Sequence, residues 1–370
     1  MSNTNRENLL FISAHLPSPD VPQAGQKIAH RAVCEYADKY NVYLVTFFNE
    51  AEASCARGFS LPCCKDVAIF PVTKWSRAVG FLFHPHLPLK ASVRYSSAAV
   101  RYIQNLLRTV KFTVVHCEFT AAARYLEYID GSILTVVTEH DITYQSFERK
   151  AEQSTGFFKH FYRFEAKRQK RWELSVLNTV DDIVVLSEKD RQIIADDGIP
   201  LNRVRVSPPA IDPAFRDLDR SLFVSGSLLF WGAMDRPENV DAAVWFVKYI
   251  YPKIVSKCSF VKLYIVGASP PEAVKTLTSP TIIVTGFVED PLEYFRKCHI
   301  GIAPLRIGAG IKLKVLEYLE AGLPVVATGV GAEGIDSPFL FIADNEETFA
   351  EKIIELINSE NHKENTSLKL

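Results

Sequence analysis

Short, β-branched apolar runs recur along the whole chain. In the first half they are Leu9–Ser13, Val42–Phe47, Val67–Pro71, Phe112–His116, Ile133–Thr138, Asp182–Leu186 and Arg203–Ser207. In the second half they are Leu228–Trp231, Lys262–Val266, Ile282–Thr285, Ile300–Ala303 and Pro324–Thr328. Each is largely apolar rather than alternating, the pattern of parallel strands buried on both faces. Helical periodicity lies between many of them, most clearly at Gln26–Lys39, Ala98–Val110, Lys189–Asp197, Asn239–Lys257, Pro291–Lys297 and Leu313–Ala321. Strand–helix alternation predicts an α/β protein of doubly wound, Rossmann-like domains.

The alternation breaks at Ser207–Gly226, which is rich in Pro, Asp and Ser. The expected organisation is a first domain over 1–207, a linker over 208–226 and a second domain over 227–357 closed by an amphipathic helix at 347–357. A polar tail, 358–370, follows. A chain of 370 residues fits two domains of ordinary size. Two such domains facing each other would place ligands in a cleft at the carboxyl ends of both sheets. Chemistry is therefore sought in loops that follow strands.

Composition excludes some classes. Hydrophobic residues are 48% and charged residues 23%, a globular balance, and the net charge of −1 gives no overall attraction to nucleic acid. Leu9–Ile12 is too short for the core of a signal peptide, and no run is long enough to span a membrane. The seven cysteines form no CxxC pair and read as reduced thiols. The expected location is cytoplasmic, or peripheral on the inner face of the cell membrane.

The stretch Ala303–Thr328 carries the densest cues. A strand ends at Pro304, Gly308 and Gly310 open a loop, and a helix begins near Ile311. Glycines let backbone approach a ligand, and helix N-terminal amides favour an anion. Arg306, Lys312 and Lys314 add positive charge suited to phosphate. Glu317, further along the helix, suits a pair of sugar hydroxyls. Phosphate and ribose together describe a nucleoside diphosphate.

Three segments, FWGAMDRPENVDAAVWF (230–246), LYIVGA (263–268) and TGFVEDPLEYFRKCHIGIAPLRIGAGIKLKVLEYLEAGLPVVATGVGAEGI (285–335), make the second half resemble the donor domain of GT-B glycosyltransferases, specifically glycosyltransferase family 4. The resemblance implies two Rossmann-like domains facing across a cleft. It implies transfer of a sugar from a nucleotide-sugar donor to a glycan or lipid-linked acceptor in surface polysaccharide assembly, with retention and without metal or other cofactor. Carried over residue by residue, it gives Arg306 and Lys312 the diphosphate and Glu317 the ribose, with Gly308, Gly310, Ile311 and Leu313 forming the loop and helix start. Gly286, Phe287 and Val288 would form the wall for the base. Arg236 is the candidate cation after the first strand of the domain. Many members carry a first acid eight residues before the helix glutamate, and here that position is Ala309.

The first half would then bind acceptor. Gly25 is the candidate glycine of the loop after the first strand. His140 follows a buried strand and is the first choice for a catalytic-site residue, with Asp141 to orient it; His116 and Glu118 are second choices. Lys74–Cys117 contains seven Lys or Arg, no Asp or Glu, and the aromatics Trp75, Phe81 and Phe83. That composition suits an anionic membrane surface. A second basic run, Lys159–Arg171, sits among Phe157, Phe158, Phe161, Tyr162 and Phe164. Neither run carries a nucleic-acid motif.

Gly329–Gly334 spells GxGxxG, but Asp336, Ser337 and Pro338 follow where a dinucleotide fold needs a helix. Asp217-Leu218-Asp219 lies in the linker, which argues against a metal-binding DxD. The alternatives to a transferase are an epimerase of the same fold and a noncatalytic subunit that binds nucleotide-sugar or glycan.

Overall fold

A computed structural model describes residues 6–19, 24–73, 82, 84, 87–221 and 223–367. Lys74–Phe81, Phe83 and His86 of the first basic stretch lie outside them. The chain divides into two compact units, Met1–Ala210 and Ile211–Leu370.

Unit 1 contains β1 (Asn8–Ser13), β2 (Asn41–Phe48), β3 (Asp66–Pro71), β4 (Val114–Glu118), β5 (Leu134–Glu139), β6 (Asp182–Val185) and β7 (Val204–Val206). They form one parallel sheet in the order β3-β2-β1-β4-β5-β6-β7. β1 and β4 are almost wholly buried, as their unbroken apolar runs require. Layers form on both faces: Leu10, Ile12, Val45 and Val115 pack with helix Ser97–Thr109 on one, and Leu9, Phe11 and Leu44 pack with helix Ala24–Ala37 on the other.

Unit 2 contains β8 (Val224–Trp231), β9 (Lys262–Val266), β10 (Ile282–Gly286), β11 (Cys298–Ala303), β12 (Val325–Ala327) and β13 (Leu340–Ile342). These too are parallel, in the order β10-β9-β8-β11-β12-β13. In both units the first strand is central and the order reverses beside it. That is the doubly wound arrangement in which ligands gather at the carboxyl ends.

Four features differ from the sequence expectation. β13 is a three-residue edge strand, too short to show a period. Helices Thr143–Gln153 and Gly156–Thr179, the longer of which carries the second basic run, are not among the elements expected from periodicity; much of the longer helix is solvated, so no clean apolar stripe marks it. The linker segment 208–226 is mostly part of unit 2. Asp212 caps a short helix, Pro213–Arg216, through Ala214 N at 3.0 Å, and the Arg220 guanidinium donates to the carbonyls of Phe295, Cys298 and Gly322. The closing helix is Glu346–Ser367 and so continues through most of the expected tail.

Candidate functional site

Two groups of side chains stand at the carboxyl ends of the two sheets. In unit 1 the centre is Glu118, the last residue of β4, in register with Ser13 of β1 and Thr138 of β5. It is fully buried. Strand alternation puts His116 on the same face, and His140 lies two residues beyond Thr138. Glu118 Oε2 is 2.7 Å from His116 Nε2, and Oε1 is 2.6 Å from His140 Nε2. Burial pushes the Glu118 carboxyl up, but the charge of His140 and the hydrogen bonds from both histidines outweigh it and hold it at about 2. His116 Nδ1 continues the chain to the Tyr36 hydroxyl at 3.1 Å.

A carboxylate against Nε2 assigns the proton of a neutral His140 to that nitrogen and leaves Nδ1 as an acceptor. His140 Nδ1 is buried with no hydrogen-bond partner among the described residues. The ring stacks on Phe119 with centroids 3.9 Å apart. The other side of the cluster is Gly25, near the start of helix Ala24–Ala37. A Cβ on Gly25 would lie 3.3 Å from His140 Nδ1 and 3.0 Å from Phe119 Cε1. The missing side chain thus leaves room at the one ring atom still able to bond.

His15, after β1, completes the group. The Arg94 guanidinium approaches its ring at 3.1 Å, and His15 packs edge-on to Phe119. Burial, then the charges of Arg94, His140 and Lys90, hold His15 well below its ordinary value. It is a neutral ring in a field that favours an anion. His15 and Arg94 were not among the candidates: they are 79 residues apart, and only the fold joins them.

Asp141 does not orient His140. Its Oδ2 accepts from Ser146 Oγ at 3.4 Å, and Glu118 occupies the orienting position instead. The reason is register: Glu118 faces His140 from the neighbouring strand, whereas Asp141 has already turned into the loop before helix Thr143–Gln153.

In unit 2 the carboxyl ends of β8 and β9 touch through their glycines. Gly232 and Gly267 both have φ of +152°, and a Cβ on Gly267 would sit 1.7 Å from Gly232 O. Only glycine permits that crossing. Helix Leu313–Glu320 is fastened beside it. The Trp231 backbone N–H donates to Tyr318 OH at 2.7 Å, and Trp231 Nε1 donates to Glu317 Oε2 at 2.9 Å. Lys314 reaches the same spot, donating to Asn239 Oδ1 at 2.7 Å. Its ammonium is 2.8 Å from the place a Gly232 side chain would take. Burial lowers the Lys314 pKa to about 7 despite the opposing pull of Glu238 and Glu317.

The glycine loop is as irregular as its sequence suggests, with φ of +133° at Gly308 and +70° at Gly310. Lys312 stands at the helix start, donates to Gly310 O and lies 3.7 Å from Glu333. Ile311 and Leu313 beside it are half-buried. Arg306 forks onto both oxygens of Asp241 and lies 5.2 Å over the Trp245 ring, so in this structure its charge is engaged on helix Pro237–Trp245. Arg236 pairs with Glu238 at 3.5 Å. Gly286 ends β10 at φ +74°, Phe287 is 76% exposed, and Val288 packs on the core. The structure therefore brings Lys312, Lys314 and Glu317 together on one loop and helix with Trp231 and Asn239. Trp231, the last residue of β8, and Asn239 lie in the family-like segment 230–246 but are not among its candidate site residues.

The GxGxxG stretch forms turns with no helix, and Gly331 is there because a Cβ would meet Ala303 O at 2.4 Å. No helix among the described residues is long and apolar enough to cross a membrane.

Residues 36–215 match the Glycosyltransferase Family 4 model and residues 225–359 the model of Glycosyl transferases group 1. Anabaena HepE in complex with UDP and glucose has a similar fold. The TM-score is 0.64 at 13% identity, over 96% of this chain and 91% of that one. Sucrose-phosphate synthase from Thermosynechococcus elongatus is as similar, with TM-score 0.64 at 16% identity over 95% and 90%. A curated relative is an uncharacterized 44.6 kDa protein in the cps region of Klebsiella pneumoniae, 29% identical over 141 residues. That match takes in 35% of this chain and spans 36% of the relative's length. The two parallel-sheet units thus define a GT-B protein. Within that class the chain belongs to the group 1, family 4 glycosyltransferases.

Proposed function

We propose that this chain moves a sugar from a nucleotide-diphosphate donor to a glycan or lipid-linked acceptor in surface polysaccharide assembly, retaining configuration and using no metal. The observation that carries the reading is Lys314, a desolvated ammonium at the carboxyl end of β8 with Glu317 one turn further along its helix. A diphosphate would give that ammonium an opposite charge, and the leaving group's growing charge would be met by Lys312, Lys314 and backbone amides as fixed electrostatics. Glu317 would accept from the ribose hydroxyls. His140, held by Glu118, offers Nδ1 to the sugar or to an acceptor hydroxyl.

The nucleotide is supported by HepE, solved with UDP, and the polysaccharide setting by the relative from a cps region. A lipid-linked acceptor would be met by the basic stretch that begins at Lys74, in which Leu82 is 72% exposed. The test is a thermal-shift panel of UDP, GDP, ADP and dTDP with their sugar conjugates, followed by turnover with and without acceptors. A ligand bound only by the folded state raises apparent stability. A shift for one nucleotide family with acceptor-dependent release supports transfer; no shift with any nucleotide overturns it. Ala309, in place of the usual first acid, favours the noncatalytic nucleotide-sugar-binding reading as the second choice. Nucleotide binding with no turnover on a broad acceptor panel would select it. Isomerised sugar without acceptor would select an epimerase.

A further inference from the structure

Helix Gly156–Thr179 presents three different stripes. Glu165, Gln169 and Glu173 recur at i, i+4 and i+8 and are buried, with Ala166 beside them. Phe157, Phe161 and Phe164 recur at i, i+4 and i+7 and are 77%, 37% and 60% exposed; Phe158, in line with the Glu165 stripe but about two turns before it, is 62% exposed. Lys159, Arg163 and Lys167 recur at i, i+4 and i+8 on a third side, and the 3.6-residue period places His160 and Arg171 between the basic and aromatic stripes. No residue from Gly156 to Phe164 is buried, so the first turns stand clear of the core.

Four exposed phenylalanines within eight residues are far more apolar surface than a solvated helix normally shows. Three of them cluster, with ring centroids 5.9 Å apart for Phe157–Phe158 and 6.5 Å for Phe157–Phe161, and the Arg168 guanidinium lies 5.5 Å over the Phe164 ring. The adjoining basic stripe has no acid between Gly156 and Phe164 to neutralise it. An apolar stripe beside a cationic one matches the interface of an anionic bilayer, where rings enter the acyl boundary and cations meet phosphate. A protein partner would need acids ringed around an aromatic groove, a more particular complement than these stripes demand.

We infer that residues 156–171, rather than the stretch 74–117 alone, form the surface that docks this chain on anionic lipid. The two segments adjoin: Arg168 donates to Leu87 O, and Glu165 Oε1 accepts from Leu89 N. The inference extends the lipid-linked acceptor of the proposed function to the membrane that would hold it, but does not require sugar transfer.

The test uses the full chain and sedimentation with vesicles of phosphatidylcholine alone or with about one third phosphatidylglycerol, whose negative surface attracts basic residues. Two variants are compared, Phe157→Ser/Phe161→Ser/Phe164→Ser and Lys159→Ser/Arg163→Ser/Lys167→Ser, with nucleotide affinity measured on each. The expected result is binding to anionic vesicles that falls at least tenfold in either variant and in 0.5 M salt for the wild type, at unchanged nucleotide affinity. Wild-type binding unaffected by either triple substitution overturns the inference, as does no binding to any vesicle, or a dimer in solution that the phenylalanine variant abolishes. Loss of nucleotide binding in the wild type would instead overturn the transferase reading and leave the lipid result standing.

Discussion

Glu118 Oε1 stands 2.6 Å from His140 Nε2, while the other oxygen of the same carboxylate holds His116 at 2.7 Å. One buried acid therefore sets the direction of two imidazoles, and the ring nitrogen it leaves open on His140 is the one beside Gly25. Glu118 is a positioning residue. Glu118→Gln is expected to lower turnover by about 10²–10³-fold, in the range of a mis-set general acid or base, with KM for donor little changed. A split between kcat and KM distinguishes this from simple destabilisation: kcat should fall in Glu118→Gln while donor KM and the folded fraction stay as in wild type. Unchanged kcat would mean that the Glu118–His140 hydrogen bond does not serve turnover.

The same residue sets an acid limit on stability. Its folded pKa of about 2 lies below the ordinary carboxylate value, so its contribution is present above about 4.5 and is lost as pH falls toward about 2. A shift of that size corresponds to about 3 kcal/mol. Denaturant melts from pH 6 to 3 should show the wild type losing more stability than Glu118→Gln. Parallel curves would contradict the assignment.

Glu139 and Glu173 predict the opposite slope. Both are buried; burial and their mutual charge raise Glu139 well above its ordinary range, and burial raises Glu173 to about 7 although Thr143 N donates to it at 2.9 Å. The folded state then holds a proton that the unfolded chain has released, so stability falls as pH rises from about 4.5 through about 7. Glu139→Gln should remove part of this fall and raise Tm at pH 8 relative to wild type, with little effect at pH 5. A lower Tm at both pH values would show that the carboxylate is needed for packing.

Gly25→Ala separates space from stability. The added methyl gains helix propensity of up to about 1 kcal/mol but crowds Phe119 and His140 by a few tenths of an ångström. Tm should change by less than about 3 °C, since gain and strain offset. Turnover should fall at least about tenfold if the space at Nδ1 is where a reactant sits. Full activity with normal Tm would remove Gly25 from the site.

Glu317→Ala and Lys314→Met test the nucleotide end. Each removes a charged hydrogen-bonding group worth roughly 1.5–3 kcal/mol, or about 10–100-fold in affinity. Calorimetry with the nucleotide chosen by the thermal-shift panel reads both. Only Lys314→Met should also flatten the salt dependence, because it removes the cation facing phosphate.

Much of this was legible in the chain. The central strands announce themselves as largely apolar runs because a parallel sheet buries both of their faces, and the glycine-loop helix of unit 2 is local in sequence. The partners were harder. The resemblance gives Arg306 to the diphosphate, and the sequence does not show that Asp241, 65 residues away, pairs with it in this structure. Asp141 looked like the orienting acid because it adjoins His140, yet register gives that place to Glu118 on the next strand. Helix Gly156–Thr179 shows in the sequence only as a basic run among aromatics, because its first phenylalanines face outward, which defeats a rule that expects apolar residues inside.

The depressed pKa of Lys314 has a thermodynamic consequence for whatever anion settles beside it. Near pH 8 a group titrating at about 7 is mostly without its proton, whereas a neighbouring phosphate favours the charged form. The ligand would then be admitted together with a hydrogen ion drawn from the medium. The heat of binding would depend on which buffer surrendered that ion, and affinity would weaken as the solution turned alkaline.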